Sequence, residues 1–105
     1  MLDIYQYNCP NSFFRDWVKA KKKYQRSFTI RSFAKKLELK SHATLSLMLN
    51  GERQISKQML PKLIDMMSLK EKEAMYFEAL IDYRRSKNDA SKVFYSKKLG
   101  ELNPC

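Results

Sequence analysis

Two glycines and three prolines in 105 residues are too few for a fold built on sheets, because sandwiches and barrels turn the chain on such residues at every hairpin. Cysteine is as scarce. Cys9 and Cys105 sit near opposite ends with no CxxC spacing, and His42 is the only histidine, so no set of soft ligands closes a zinc site and no metal or other cofactor is expected. Reduced thiols in a cytoplasm are the expectation, with a Cys9 to Cys105 bridge as the alternative because chain ends often lie close together. No uninterrupted apolar run approaches the ~18 residues that span a bilayer. The opening "MLDIYQYNCP" also lacks the basic region and apolar run of a leader. These absences predict a cytoplasmic chain with no membrane contact.

What the chain has is helix-forming composition, rich in Lys, Leu, Met, Ala and Glu, which predicts an all-α protein. Its length fits one domain, residues 1–105, with enough material for a core that needs no staples. The expected architecture is a compact bundle of five to six helices. The net charge of +10 is unevenly placed: residues 1–62 hold 13 Lys and Arg against 4 Asp and Glu, and residues 63–105 hold 8 against 7. A localised cationic half suits a polyanion, since Lys and Arg neutralise phosphates and release condensed counterions. Charge meant only for solubility would more often be spread throughout.

Apolar residues recur at helical spacing along most of the chain. Asn11 or Ser12 can cap a first helix with Phe13, Trp17, Ala20 and Tyr24 on one stripe, widened by Phe14 and Val18. Thr29 opens a second helix in which Ile30, Phe33, Ala34 and Leu37 face inward and Arg31, Lys35 and Lys36 face water. Ser41 is placed to cap a short third helix with Leu45, Met48 and Leu49 inside, ended by Asn50-Gly51. Ser56 starts a fourth, in which Pro61 would delete a hydrogen bond unless the helix begins late. Ser68 and Glu71 form a capping-box pattern for a fifth helix with Ala74, Phe77, Leu80 and Ile81 inward. Asp89 caps a last helix that ends at Gly100.

The second and third of these helices, the tight connection between them and the "NGER" that follows carry a resemblance. Residues 29–69 resemble the helix-turn-helix of the lambda-repressor and Cro class: Phe33-Ala34 in the first helix, a recognition helix over about residues 42–50, Asn50-Gly51-Glu52-Arg53 as the "NGxR" loop, and Ile55-Ser56 opening the next helix. The class places a glycine in the turn where this chain has Leu37-Glu38, and its turn is one residue shorter. The longer turn, the aromatic first helix and "SLKEKEAMYF" look more like the N-terminal region of uncharacterised bacterial regulators that carry a larger C-terminal domain. The resemblance implies a helix-turn-helix core at about 29–69, with the helices of about 70–99 packed behind it. It also implies a cytoplasmic bacterial transcription regulator whose partner is duplex DNA.

The geometry of such a device assigns roles. A major groove about 12 Å wide admits one helix, which a second helix must brace. Opposite Leu45, Met48 and Leu49 stand Ala43, Leu47 and Asn50, flanked by Thr44 and Ser46, with His42 at the tip. His42, Ala43, Thr44, Ser46 and Leu47 are the expected base contacts, and Arg31, Lys35, Lys40, Ser41, Lys36, Arg53 and Lys57 the expected phosphate contacts. One short helix reads too few base pairs for useful selectivity, so a homodimer or a fused C-terminal domain is expected.

Other classes have less to stand on. No Walker sequence, acid pair at a glycine-rich loop or Ser-His-Asp set is present, so neither catalysis nor a small-molecule substrate is expected. RNA binding lacks exposed stacking aromatics. The main rival is a protein-protein adaptor with a helix-turn-helix shape, gripping its partner through Leu47 and the C-terminal aromatics; of these, Tyr76, Phe77, Phe94 and Tyr95 are open to either a core or a dimer-surface role. A DNA reader should gather its charge around the third helix, whereas an adaptor should expose an apolar patch there.

Overall fold

The helical periodicity is realised as six α-helices, with no strand, over the residues 2–103 that the computed structural model describes. They are α1 (Pro10–Tyr24), α2 (Ile30–Lys36), α3 (His42–Leu49), α4 (Leu60–Met66), α5 (Glu71–Arg85) and α6 (Asp89–Leu102), preceded by a 3-10 turn at Ile4–Gln6. Cys105, and with it the alternative of a terminal disulfide, lies outside the described residues. Cys9 is a free thiol. Among the described residues no helix is long and apolar enough to cross a membrane.

Local chemistry sets the helix starts, sometimes one residue away from the sequence expectation. Pro10 takes the first position of α1, where a missing N–H costs nothing, so Cys9 is the N-cap and Asn11 is drawn inside instead of capping. Thr29 caps α2 in a reciprocal pair with Ser32, and Ser41 Oγ accepts from the Ala43 amide at 3.1 Å to cap α3. The difficulty posed by Pro61 is resolved by a 3-10 turn at Lys57–Met59, capped by Ser56, which lets α4 begin at Leu60 with the proline in its first turn. The expected Ser68-Glu71 box does not form. Lys70 is the N-cap of α5, and its amide donates to Glu73 Oε1 at 2.9 Å. Asn88 rather than Asp89 caps α6, accepting from Ser91 N at 2.8 Å, and the helix runs through Gly100 to Leu102 because nothing there demands a left-handed residue.

Three successive helices end the same way. Glu38, Gly51 and Ser68 take positive φ (59°, 82° and 52°) just past α2, α3 and α4. The next amide then reaches back to the carbonyl of Ala34, Leu47 or Ile64. This Schellman closure satisfies carbonyls the helix leaves open, and it turns Leu39 and Leu69 onto the core. Only one of the three positions is glycine, so Glu38 and Ser68 hold a conformation that costs an L-residue roughly 1–2 kcal/mol. Ser68→Gly is therefore expected to stabilise the protein by about 0.5–1 kcal/mol, after the larger chain entropy of glycine in the unfolded state is offset. A urea midpoint that falls or stays unchanged would contradict it.

The core runs from Phe13, Phe14 and Val18 of α1 through Phe33 and Leu45 to Phe77, Leu80 and Ile81 of α5, all buried. Its rings meet edge to face, with Phe14 5.7 Å from Phe33 and Phe13 5.8 Å from Phe77, an arrangement that ring quadrupoles favour. The expected stripe on α1 fails at its end, where Tyr24 is exposed. The N-terminal segment is tied down by Ile4, which is buried, and by Tyr76 Oη, which donates to the Tyr7 carbonyl at 3.1 Å. α6 packs along α5 yet buries no residue fully, and Val93 and Phe94 stay exposed.

Candidate nucleic-acid interface

α3 packs against both α2 and α1, and its two faces are chemically distinct. Leu45, Met48 and Leu49 are buried; His42, Ala43, Leu47 and Asn50 are exposed, and Thr44 and Ser46 are half-buried. Every residue expected to meet a base therefore has access to solvent.

At the N-terminal tip of α3 lies an open groove of about 420 Å³ lined by Arg31, Ala34, Lys35, Leu39, Lys40, Ser41 and His42. Five residues singled out in the sequence meet here, from α2, the turn and α3, and no carboxylate lines the groove. Their assembly has a local cause. Arg31 and Lys35 are one turn apart on the outer face of α2, and the closure at Glu38 swings Lys40 and Ser41 back beside them. The first-turn amides of α3 add a favourable partial charge for an anion, about 0.3–1 kcal/mol.

A larger groove of about 710 Å³ opens along α3, walled by Thr44 and Met48, by Arg53 and Gln54 of the following loop, and by Lys62 and Arg85. Leu39 borders both grooves. This one is mixed in charge, for Glu38 and Glu52 also line it. Lys62 Nζ lies 2.7 Å from Glu38 Oε2, and that hydrogen bond, with the lysine charge behind it, holds the Glu38 carboxyl below the usual carboxylate range.

Two of the expected phosphate contacts stand elsewhere. Lys36, 100° around α2 from Lys35, lines a separate recess with Trp17 and Lys21. Lys57 Nζ is 2.9 Å from Asp82 Oδ1 on α5, a bond that raises its pKa and occupies its charge. Asp82 is 25 places from Lys57 in the sequence, so no local pattern marked it.

The loop after α3, which carries Arg53, is held from outside itself, and sequence reasoning missed how. Asn11 Nδ2 donates to the Met48 carbonyl at 2.7 Å and to the Arg53 carbonyl at 2.9 Å. Arg84 reaches from α5 to the Gly51 carbonyl at 2.7 Å with one terminal nitrogen and to Cys9 Sγ at 3.0 Å with the other. Arg85 adds a longer bond to the Ile55 carbonyl at 3.4 Å. Burial alone would raise the Cys9 thiol. Hydrogen bonds from the Ser12 amide and hydroxyl, the Asn11 amide and the Arg84 charge outweigh it and leave the pKa below the ordinary value. One sequence signal was available for Asn11: with Phe14 and Val18 it completes an i, i+3, i+7 stripe, a polar residue on the inner face.

No protein-family model, curated protein or solved structure matches this chain.

Proposed function

We propose that the protein binds duplex DNA as a helix-turn-helix transcription regulator, with α3 in the major groove. The observation that carries this reading is the groove at the tip of α3, where Arg31, Lys35, Lys40, Ser41 and His42 converge without a carboxylate among them. Arg31, Lys35 and Lys40 take phosphates, and Arg53 meets the backbone on the other side of the helix. His42 donates to a purine N7, Thr44 bonds a base edge, and Ala43 and Leu47 meet thymine methyls, with Ser46 reaching toward the backbone. Lys36 and Lys57 have no part in this contact.

The rival adaptor role would need an apolar patch on α3. Leu47 is the sole large apolar residue exposed there, at 39%, while Val93 and Phe94 on α6 are 66% and 62% exposed. That distribution supports nucleic acid at α3 and a protein contact at α6, where a second copy or a fused domain would supply the missing half-site.

The test is fluorescence polarisation with mixed duplexes across a salt series, followed by selection of a preferred site. His42→Ala and Thr44→Ala are each expected to weaken the selected site by about 1–3 kcal/mol and random duplex hardly at all. Equal losses on both would remove base reading from the proposal. Wild-type protein that holds no duplex at low salt would remove the proposal itself.

A further inference from the structure

The DNA contact leaves over Lys36, Lys21 and the chain's one tryptophan, and these three meet. A recess of about 400 Å³ lies between the second half of α1, the connection at residues 25–29 and α2, lined by Trp17, Lys21, Gln25, Phe28, Lys36 and, from α4, Met66. We infer that this recess is a binding site for a small planar aromatic anion, a single ring system bearing one carboxylate or phosphate.

Three features converge on that chemistry. Trp17 and Phe28 stand at 81° to each other with centroids 6.3 Å apart, making an aromatic corner that takes a flat ring against one face and an edge against the other. Phe33 backs the indole at 5.7 Å, so the corner is braced from within the core. Lys21 Nζ already lies 5.9 Å from the Trp17 ring centroid, Lys36 enters from α2, and no carboxylate lines the recess, so the charge selects for an anion. The volume is near the lower end of ligand clefts, about 300–1,000 Å³, which suits a mononucleotide or a smaller aromatic acid. An occupant would touch α1, α2 and α4 together and so brace α2, the helix whose outer face carries Arg31 and Lys35. The site thus has the placement of an effector pocket.

Because Trp17 is the only tryptophan, its emission reports occupancy directly, with no nucleic acid present. The full chain is titrated with benzoate and with adenosine monophosphate, each against its neutral counterpart, benzamide or adenosine, and against inorganic phosphate. Expected is a saturable change in emission with at least one anion, and binding about tenfold or more weaker for its neutral counterpart and for phosphate without a ring. Lys21 and Lys36 are both exposed. The double change Lys21→Gln and Lys36→Gln should therefore leave the unfolding midpoint in place while abolishing the preference for charge. No saturable change with either anion up to about 10 mM, or a neutral ring bound as well as its anion, would overturn the inference, and neither result bears on duplex binding.

Discussion

Asn11→Ala is expected to cost about 2–3 kcal/mol of stability, and Asn11→Asp more, at about 4 kcal/mol, although aspartate is nearly the same shape. The side chain is buried, at 2% exposure, and its amide nitrogen serves two carbonyls at once. Met48 O keeps a partner in the Gly51 amide at 3.2 Å if Asn11 is lost, but Arg53 O loses the donor that holds the loop. Losing two hydrogen bonds made by one buried amide costs about 1–3 kcal/mol, and a small cavity adds to it. Aspartate is worse for an electrostatic reason. It would point a carboxylate at two carbonyl oxygens, with no donor to take its charge, and an uncompensated buried charge costs several kcal/mol. The sign with pH follows. Burial raises the folded-state pKa of such a carboxyl above its unfolded value of about 4, so the folded state binds the proton more tightly, and the stability regained by protonation is present at low pH and lost as pH rises through the folded pKa. Urea unfolding at about pH 4 and pH 7 checks both the order of the variants and this slope. If aspartate proves the milder change, or its deficit is flat with pH, the amide is not oriented as described. Its Oδ1 has no partner among the described residues, which fits an orientation dictated by the two carbonyls alone.

The inner faces of the helices were legible in the sequence because their cause is local and periodic. Phe33, Ala34, Leu37, Leu45, Met48 and Leu49 are all buried as their spacing requires, and Ser41 and Gly51 cap and close α3 as residues of those types do. The outer groove followed from the same periodicity, since what faces away from Phe33 and Leu45 must be Arg31, Lys35 and His42. The angular divergence of Lys36 from Lys35 was present in the 100° step but was outweighed by their shared charge. The misses share a different cause. Cys9 displaced Asn11 as cap because Pro10 fits the first helical position, and Ser68 became the left-handed residue of α4 rather than the cap of α5 because Leu69 is drawn onto the core. Lys57, Arg84 and Asn11 find partners 25, 33 and 37 to 42 positions away, which no local pattern encodes. For α6 the sequence left core and outer surface both open, and the structure exposes Val93 and Phe94 because α5 offers the helix one face and nothing among the described residues covers the other.

Replacing Arg31, Lys35 and Lys40 together with glutamine is expected to weaken duplex binding on the order of 10²–10³-fold at about 0.1 M salt, and equally for every sequence. Each phosphate contact contributes about 0.9 to the slope of log affinity against log salt, so removing three should flatten that slope by nearly 3 units between about 0.05 and 0.3 M salt. The three side chains are exposed and line one groove, so the fold should survive their neutralisation with little change in unfolding midpoint. A change of net charge alone would also weaken attraction to DNA, and the control must match it. Lys19, Lys22 and Lys23 are exposed on α1, which lines neither groove at α3, and converting them to glutamine removes the same charge from outside the contact. If the groove at α3 is the contact, that second variant keeps the slope of the wild type and loses only a few-fold in affinity through the weaker long-range field. If both triple variants flatten the slope alike, the binding is a diffuse response to a +10 chain, and the convergence of Arg31, Lys35 and Lys40 has no special role.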